Sequence, residues 1–143
     1  MKNENEFNRH LKSGFQKVGT SIKAIKVSDR FHIGASDWLV FVKGNCHAIE
    51  AKFVKKLQNR GKLLRHVVSG PQVTFMHSME LAGVKSWVLI GVGDLRKMFL
   101  LRWDYFYESG NMAVEDFRIL LDRDEILSFP MSDVDELVGY LHE

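Results

Sequence analysis

The sequence is short of several things that would each have named a chemistry. It has one cysteine, Cys46, so it forms no internal disulfide and builds no cysteine-rich zinc site. A reducing, intracellular (cytoplasmic) setting is the expectation, with Cys46 as a small apolar filler in a strand. No apolar run reaches the roughly 18 residues a membrane-spanning helix needs. The start, Met-Lys-Asn-Glu-Asn-Glu, is polar and reads as no secretory signal. Neither Gly-X-X-X-X-Gly-Lys nor Gly-X-Gly-X-X-Gly occurs, so no nucleotide cofactor is expected. No His-Glu-X-X-His or similar histidine spacing occurs, so zinc is not expected either. Internal repeats and low-complexity segments are absent. What is present is 143 residues with 45% hydrophobic content, enough for one packed domain spanning residues 1–143.

The net charge of +2 hides an asymmetry. Residues 1–72 carry 14 Lys and Arg against 5 Asp and Glu, and residues 73–143 carry 6 against 13. A strongly basic half suits a polyanionic partner, because phosphate contacts dominate nucleic-acid affinity. Ordinary solvated surface is the plainer account of the same charges.

Residues 4–18 read as an amphipathic helix, with Phe7, Leu11, Phe15 and Val18 recurring at four, four and three. Glu4 falls on that stripe one turn before Phe7, and Glu6 falls off it. Residues 20–27 read as a strand with basic side chains, and Ser28 to Gly34 as a loop whose Arg30 and His32 are candidates to touch phosphate, a lone histidine being more often structural or solvated. A basic segment, Lys55, Lys56, Arg60, Lys62, Arg65 and His66, follows residue 53 and suits a loop contacting a nucleic-acid backbone. Ser69-Gly70-Pro71-Gln72 is a helix start with proline at the first helical position. That helix runs to about Ala82, stops at Gly83, and buries Phe75, Met76 and Met79 on the side that Gln72 shares. Its His77 reads as a surface or helix-packing residue rather than a ligand. Val84 to Val92 is a buried strand turned by Gly93-Asp94, and Lys97 to Trp103 is its return, which Asp104 to Tyr107 either extends or packs over. Val114 to Leu121 is a short mixed segment. A last helix spans about Ser132 to Leu141, capped by Ser132.

The stretch Gly34 to Lys52 carries the chemistry. Trp38 to Val42 and Cys46 to Phe53 read as the two strands of a hairpin around a Gly44-Asn45 turn. In that register Lys43 pairs with Cys46, Leu39 with Glu50 and Asp37 with Lys52. Asp37, Glu50 and Lys52 then share one face, since side chains alternate with period two. Two adjacent carboxylates repel unless a cation lies between them. Mg²⁺ takes one or two protein carboxylates and keeps several waters. A metal there supplies an activated water and neutralises phosphate charge, and a lysine beside it orients that water or stabilises the transition state.

The spacing Asp37, then Glu50-Ala51-Lys52, resembles the PD-(D/E)XK nuclease superfamily, with Ser36 where that pattern often has proline. The order helix, strand, hairpin, helix, hairpin, short helix, together with Gln72, Met76, Gly83 and Ser128-Phe129-Pro130, is similar to the Holliday-junction resolvases of the RecU and the phage or archaeal Hjc type. The resemblance implies an α/β fold: a restriction-endonuclease-like core with a central mixed sheet of about five strands flanked by helices. It implies that Asp37, Glu50 and the backbone carbonyl of Ala51 hold Mg²⁺ or Mn²⁺, that Lys52 acts on the water or the transition state, that Gln72 contacts water or phosphate, and that a glutamate of the first helix, Glu4 or else Glu6, completes the metal site. It further implies a homodimer acting on branched DNA, the four-way junction. RecU-type proteins are longer, so the chain would be a compact, virus-type version. A nicking or flap nuclease, a non-catalytic DNA-binding protein on the same fold, and a protein–protein adaptor are the alternatives.

Overall fold

A computed structural model describes residues 1–19, 21–27, 37–56, 68–106, 123 and 126–142. The first helix, α1 (Glu4–Lys17), starts at Asn3, whose side chain accepts from the Glu6 amide, and it buries Phe7, Leu11 and Phe15 as their spacing predicts. Strands β1 (Ile22–Lys26), β2 (Trp38–Val42) and β3 (Asn45–Val54) follow. Helix α2 (Gly70–Leu81) connects β3 to β4 (Lys85–Val92), β5 (Lys97–Arg102) returns from β4, a 3₁₀ turn covers Trp103–Phe106, and β6 (Leu127–Pro130) precedes α3 (Val134–Leu141). The six strands lie in sequence order in one sheet. Every neighbouring pair is antiparallel except β3 and β4, and a parallel pair needs a crossover, which α2 supplies.

The sheet has two covered faces. On one, α1 and α3 pack Phe7, Leu11, Phe15, Leu137 and Leu141 against Trp38, Val40, Ile49, Leu89 and Leu100. On the other, Met76 of α2 packs against Val88, Ile90, Val92, Phe99 and Leu101. β4 is therefore buried from Ser86 to Val92, as a strand covered on both faces must be. The helix-to-helix contact is close at Gly14, where a Cβ would lie 2.5 Å from that of Val134.

The structure revises several expected details. The hairpin turn is Lys43-Gly44, with φ of 48° and 82°, because a two-residue turn of this hand needs both residues left-handed. Val42 therefore pairs with Asn45 and Trp38 with Ile49, two residues from the expected register. Of the expected stripe on α2 only Met76 is fully buried, Phe75 and Met79 being part-buried. The last helix is capped by Asp133 rather than Ser132: its side chain accepts from the Glu136 amide. The sheet has six strands, one more than about five, the addition being the short β6. Cys46 is half-buried. Among the described residues no helix is long and apolar enough to cross a membrane.

Candidate active site

The new register exchanges the cross-strand neighbours of Asp37. One step beyond the Trp38–Ile49 pair, Asp37 comes opposite Glu50 rather than Lys52. Asp37 sits where β2 begins, and its side chain extends the ladder: Oδ2 accepts from the Ala51 amide at 2.9 Å. Its own carbonyl accepts from the Val27 amide at 2.8 Å. Its other carboxylate oxygen, Oδ1, takes Lys26 Nζ at 3.1 Å.

Glu50 and Lys52 align with Val88 and Ile90 of β4, so both point to the α2 side of the sheet. The intervening Ala51 points the other way into the α1 core, where a small side chain fits. Glu50 is 2% exposed. Its Oε1 accepts from Gln72 Nε2 at 2.8 Å and lies 3.5 Å from Lys52 Nζ. Among the described residues its Oε2 is buried with no donor in hydrogen-bond range, and the carboxyl group beside Glu50 is that of Asp37. Burial, and next the charge of Asp37, push the Glu50 carboxyl from 4.5 up to about 8, against the opposing pull of Lys52.

Gln72 is held for its task by the start of α2. Ser69 and Gln72 form a reciprocal capping box, with Ser69 N donating to Gln72 Oε1 at 2.9 Å and Gln72 N donating to Ser69 Oγ at 3.3 Å. With its amide oxygen so engaged, the Nε2 end faces Glu50.

Asp37, Glu50, Ala51, Lys52 and Gln72 thus converge. Glu4 does not join them: it is exposed in the first turn of α1, and Glu6 Oε2 accepts from the Lys2 amide at 2.8 Å. Among the described residues no group of three or more His, Cys, Asp or Glu is placed to hold a metal. A cation here would rest on the carboxylate pair and backbone oxygen, a donor set that suits a hard ion with several waters of its own. The orphaned Glu50 oxygen fits that account, since a buried polar atom without a partner is costly. Lys55 and Lys56 are exposed at the end of β3. Arg30, His32, Arg60, Lys62, Arg65, His66 and the segment Val114 to Leu121 lie outside the described residues. His77 stacks on Trp103 with ring centres 5.0 Å apart.

Two neighbours of the site escape sequence reasoning. Lys26, the cation on Asp37, is one of two lysines in a short strand, and only the β1–β2 pairing singles it out. Asn8 accepts from Trp38 Nε1 at 2.9 Å, pinning α1 to the start of β2, and a lone asparagine on a helix signals nothing locally.

No family model and no curated protein matches the chain. Among solved structures it is similar to a Holliday junction resolvase, Hjc, from the archaeal hyperthermophile Archaeoglobus fulgidus, with a TM-score of 0.58 and 14% identity over 91% of this chain and 98% of that one. A VRR_NUC domain is similar over 76% of this chain and 97% of its own, at 20% identity and a TM-score of 0.45. The likeness to Hjc extends over nearly the whole of both chains, and the mixed six-stranded sheet with its flanking helices is consistent with the restriction-endonuclease-like fold of that structure.

Proposed function

We propose that the chain is a divalent-metal-dependent DNA endonuclease that resolves four-way junctions by paired phosphodiester hydrolysis. The observation that carries the proposal is the buried Glu50 carboxylate, one oxygen unpartnered, set across from Asp37 and beside Lys52. Asp37, Glu50 and the Ala51 carbonyl are the residues that would hold Mg²⁺ or Mn²⁺. The ion, when bound, supplies an activated water and charge neutralisation at the phosphate. Lys52 Nζ, with its side chain 14% exposed, orients the attacking water or balances the charge that grows on the phosphate. Gln72 fixes the Glu50 carboxylate by its hydrogen bond, and the capping box fixes Gln72. Lys55 and Lys56, exposed at the end of β3, extend the contact with the DNA backbone, as do Arg30, Arg60, Lys62 and Arg65.

The preference for a junction rests on the Hjc-like fold. Symmetric cuts in two strands need two sites, so the proposed active form is a homodimer. The test is cleavage of a labelled four-way DNA junction beside matched duplex, flap and single strand, with Mg²⁺, Mn²⁺ or EDTA. Paired symmetric nicks that EDTA abolishes are the expected result. Equal cutting of duplex or flap removes the junction preference and leaves a nuclease. Tight binding with no cut under any metal removes the enzyme and leaves a DNA-binding protein.

A further inference from the structure

A groove of about 450 Å³ lies away from the carboxylates, between α1 and the edge strand β1. Phe15 and Trp38 form its floor, and Arg9, Lys12, Lys23 and Lys26 stand around it. Among the described residues no Asp or Glu lines it. All four cations are exposed. Lys26 pairs with Asp37, and Arg9, Lys12 and Lys23 gathered beside it repel one another; a polyanion removes that repulsion while releasing its own counterions.

The groove and the carboxylate site use opposite faces of the sheet. Trp38 packs into the α1 core, whereas Glu50 and Lys52 align with residues beneath α2. The two meet at the start of β2. There Lys26 Nζ lies 3.1 Å from Asp37 Oδ1 and 5.7 Å from the centre of the Trp38 ring. We infer that the α1–β1 groove holds the phosphodiester backbone of the nucleic-acid strand where it runs on from the cleavage site, an inference that rests on the proposed function. Arg9 and Lys12 of α1 grip that strand, with Lys23 at the sheet edge, and all three stand away from the scissile phosphate, Lys23 aligning with Phe41 rather than with Asp37. Their contribution therefore falls on binding and not on the chemical step. Lys26 belongs to both places.

The test uses the full chain with Arg9→Gln, Lys12→Gln and Lys23→Gln combined, three exposed positions whose neutralisation leaves the core untouched, and keeps Lys26. Fluorescence anisotropy of a labelled four-way junction in EDTA, from about 50 to about 300 mM KCl, gives the affinity and its salt dependence. The expected loss is on the order of 10²-fold in affinity near 0.1 M salt, with the log–log salt slope smaller by about 3. In Mg²⁺ the same variant raises KM and leaves kcat at the wild-type value. A Lys85→Gln/Lys97→Gln chain, with exposed cations removed elsewhere, keeps wild-type binding. Unchanged affinity and slope in the triple variant overturn the inference, as does an equal loss in the Lys85/Lys97 control, which would make the effect one of net charge. If wild type binds without cutting and the triple variant fails to bind, the groove stands and the nuclease reading falls. If wild type binds no junction, duplex or single strand, both fall.

Discussion

Replacing Glu50 by glutamine should abolish a pH dependence of stability that the wild-type chain carries. Glu50 is 2% exposed, and burial first, then Asp37, push its carboxyl from 4.5 to about 8. The unfolded chain releases this proton near 4.5, while the folded chain keeps it until about 8. Between those limits the folded state binds the extra proton, so stability falls as pH rises, by about 1.4 kcal/mol per pH unit. The contribution of protonated Glu50 is complete below pH 4.5 and is lost as pH rises through about 8. Across the window the loss approaches about 5 kcal/mol, an upper bound because buried sites respond as if their dielectric constant were about 20 rather than about 4. Glu50→Gln keeps an oxygen for the Gln72 hydrogen bond and removes the titration. In EDTA the variant should match wild type near pH 4.5 within about 1 kcal/mol, and exceed it by about 2 to 5 kcal/mol near pH 9. Urea unfolding followed by tryptophan fluorescence at a series of pH values measures this. Millimolar Mg²⁺ should narrow the gap at high pH by stabilising the ionised wild-type carboxylate. Wild-type stability that stays flat or rises from about pH 5 to about pH 8 refutes the reasoning, as does a variant that keeps the wild-type slope.

Three further outcomes are expected. Asp37→Asn and Lys52→Ala should each lower the single-turnover cleavage rate by about 10²- to 10⁴-fold while junction binding in EDTA survives. Ser69→Ala and Gln72→Ala both open the capping box and should each cost about 1 kcal/mol in thermal unfolding. Only Gln72→Ala also frees Glu50, so its cleavage rate should fall about tenfold or more below that of Ser69→Ala; equal rates would reduce Gln72 to a helix cap. Gly14→Ala drives a methyl to 2.5–2.7 Å from the Val134 side chain, and should cost about 1–3 kcal/mol in denaturant unfolding. Adding Val134→Ala should relieve most of that cost, and no relief would mean the strain lies elsewhere.

The parts of the fold that follow local rules were legible in the sequence. Phe7, Leu11 and Phe15 at a spacing of four give α1 its buried stripe, and Ser69-Gly70-Pro71-Gln72 caps and starts α2. The convergence of Asp37, Glu50 and Lys52 was legible too, because an error of two residues in the register leaves every side chain on its proper face. The register itself was not. Lys43 takes the left-handed conformation, which a lysine seldom adopts, and Gly44-Asn45 was the stronger turn signal. β6 was missed because four residues ending in Pro130 look like a loop until β5 offers them a partner. The Lys26–Asp37 pair and the α1–β1 groove depend on which strand lies beside which, and no periodicity encodes that. Glu4 shares the apolar stripe in sequence and still ends exposed, one turn before the buried Phe7.

The capping box at Ser69 makes the start of α2 a sensor. Gln72 closes the box with its amide oxygen and reaches Glu50 with its amide nitrogen. Ionising Glu50 strengthens that second bond, and with it the hold on the first turn of the helix. Fraying of α2 and the protonation of a carboxylate on a different strand are therefore linked. Hydrogen exchange at the Gln72 and Val73 amides, which bond to Ser69, would report the charge state of the site from outside it, with no substrate present.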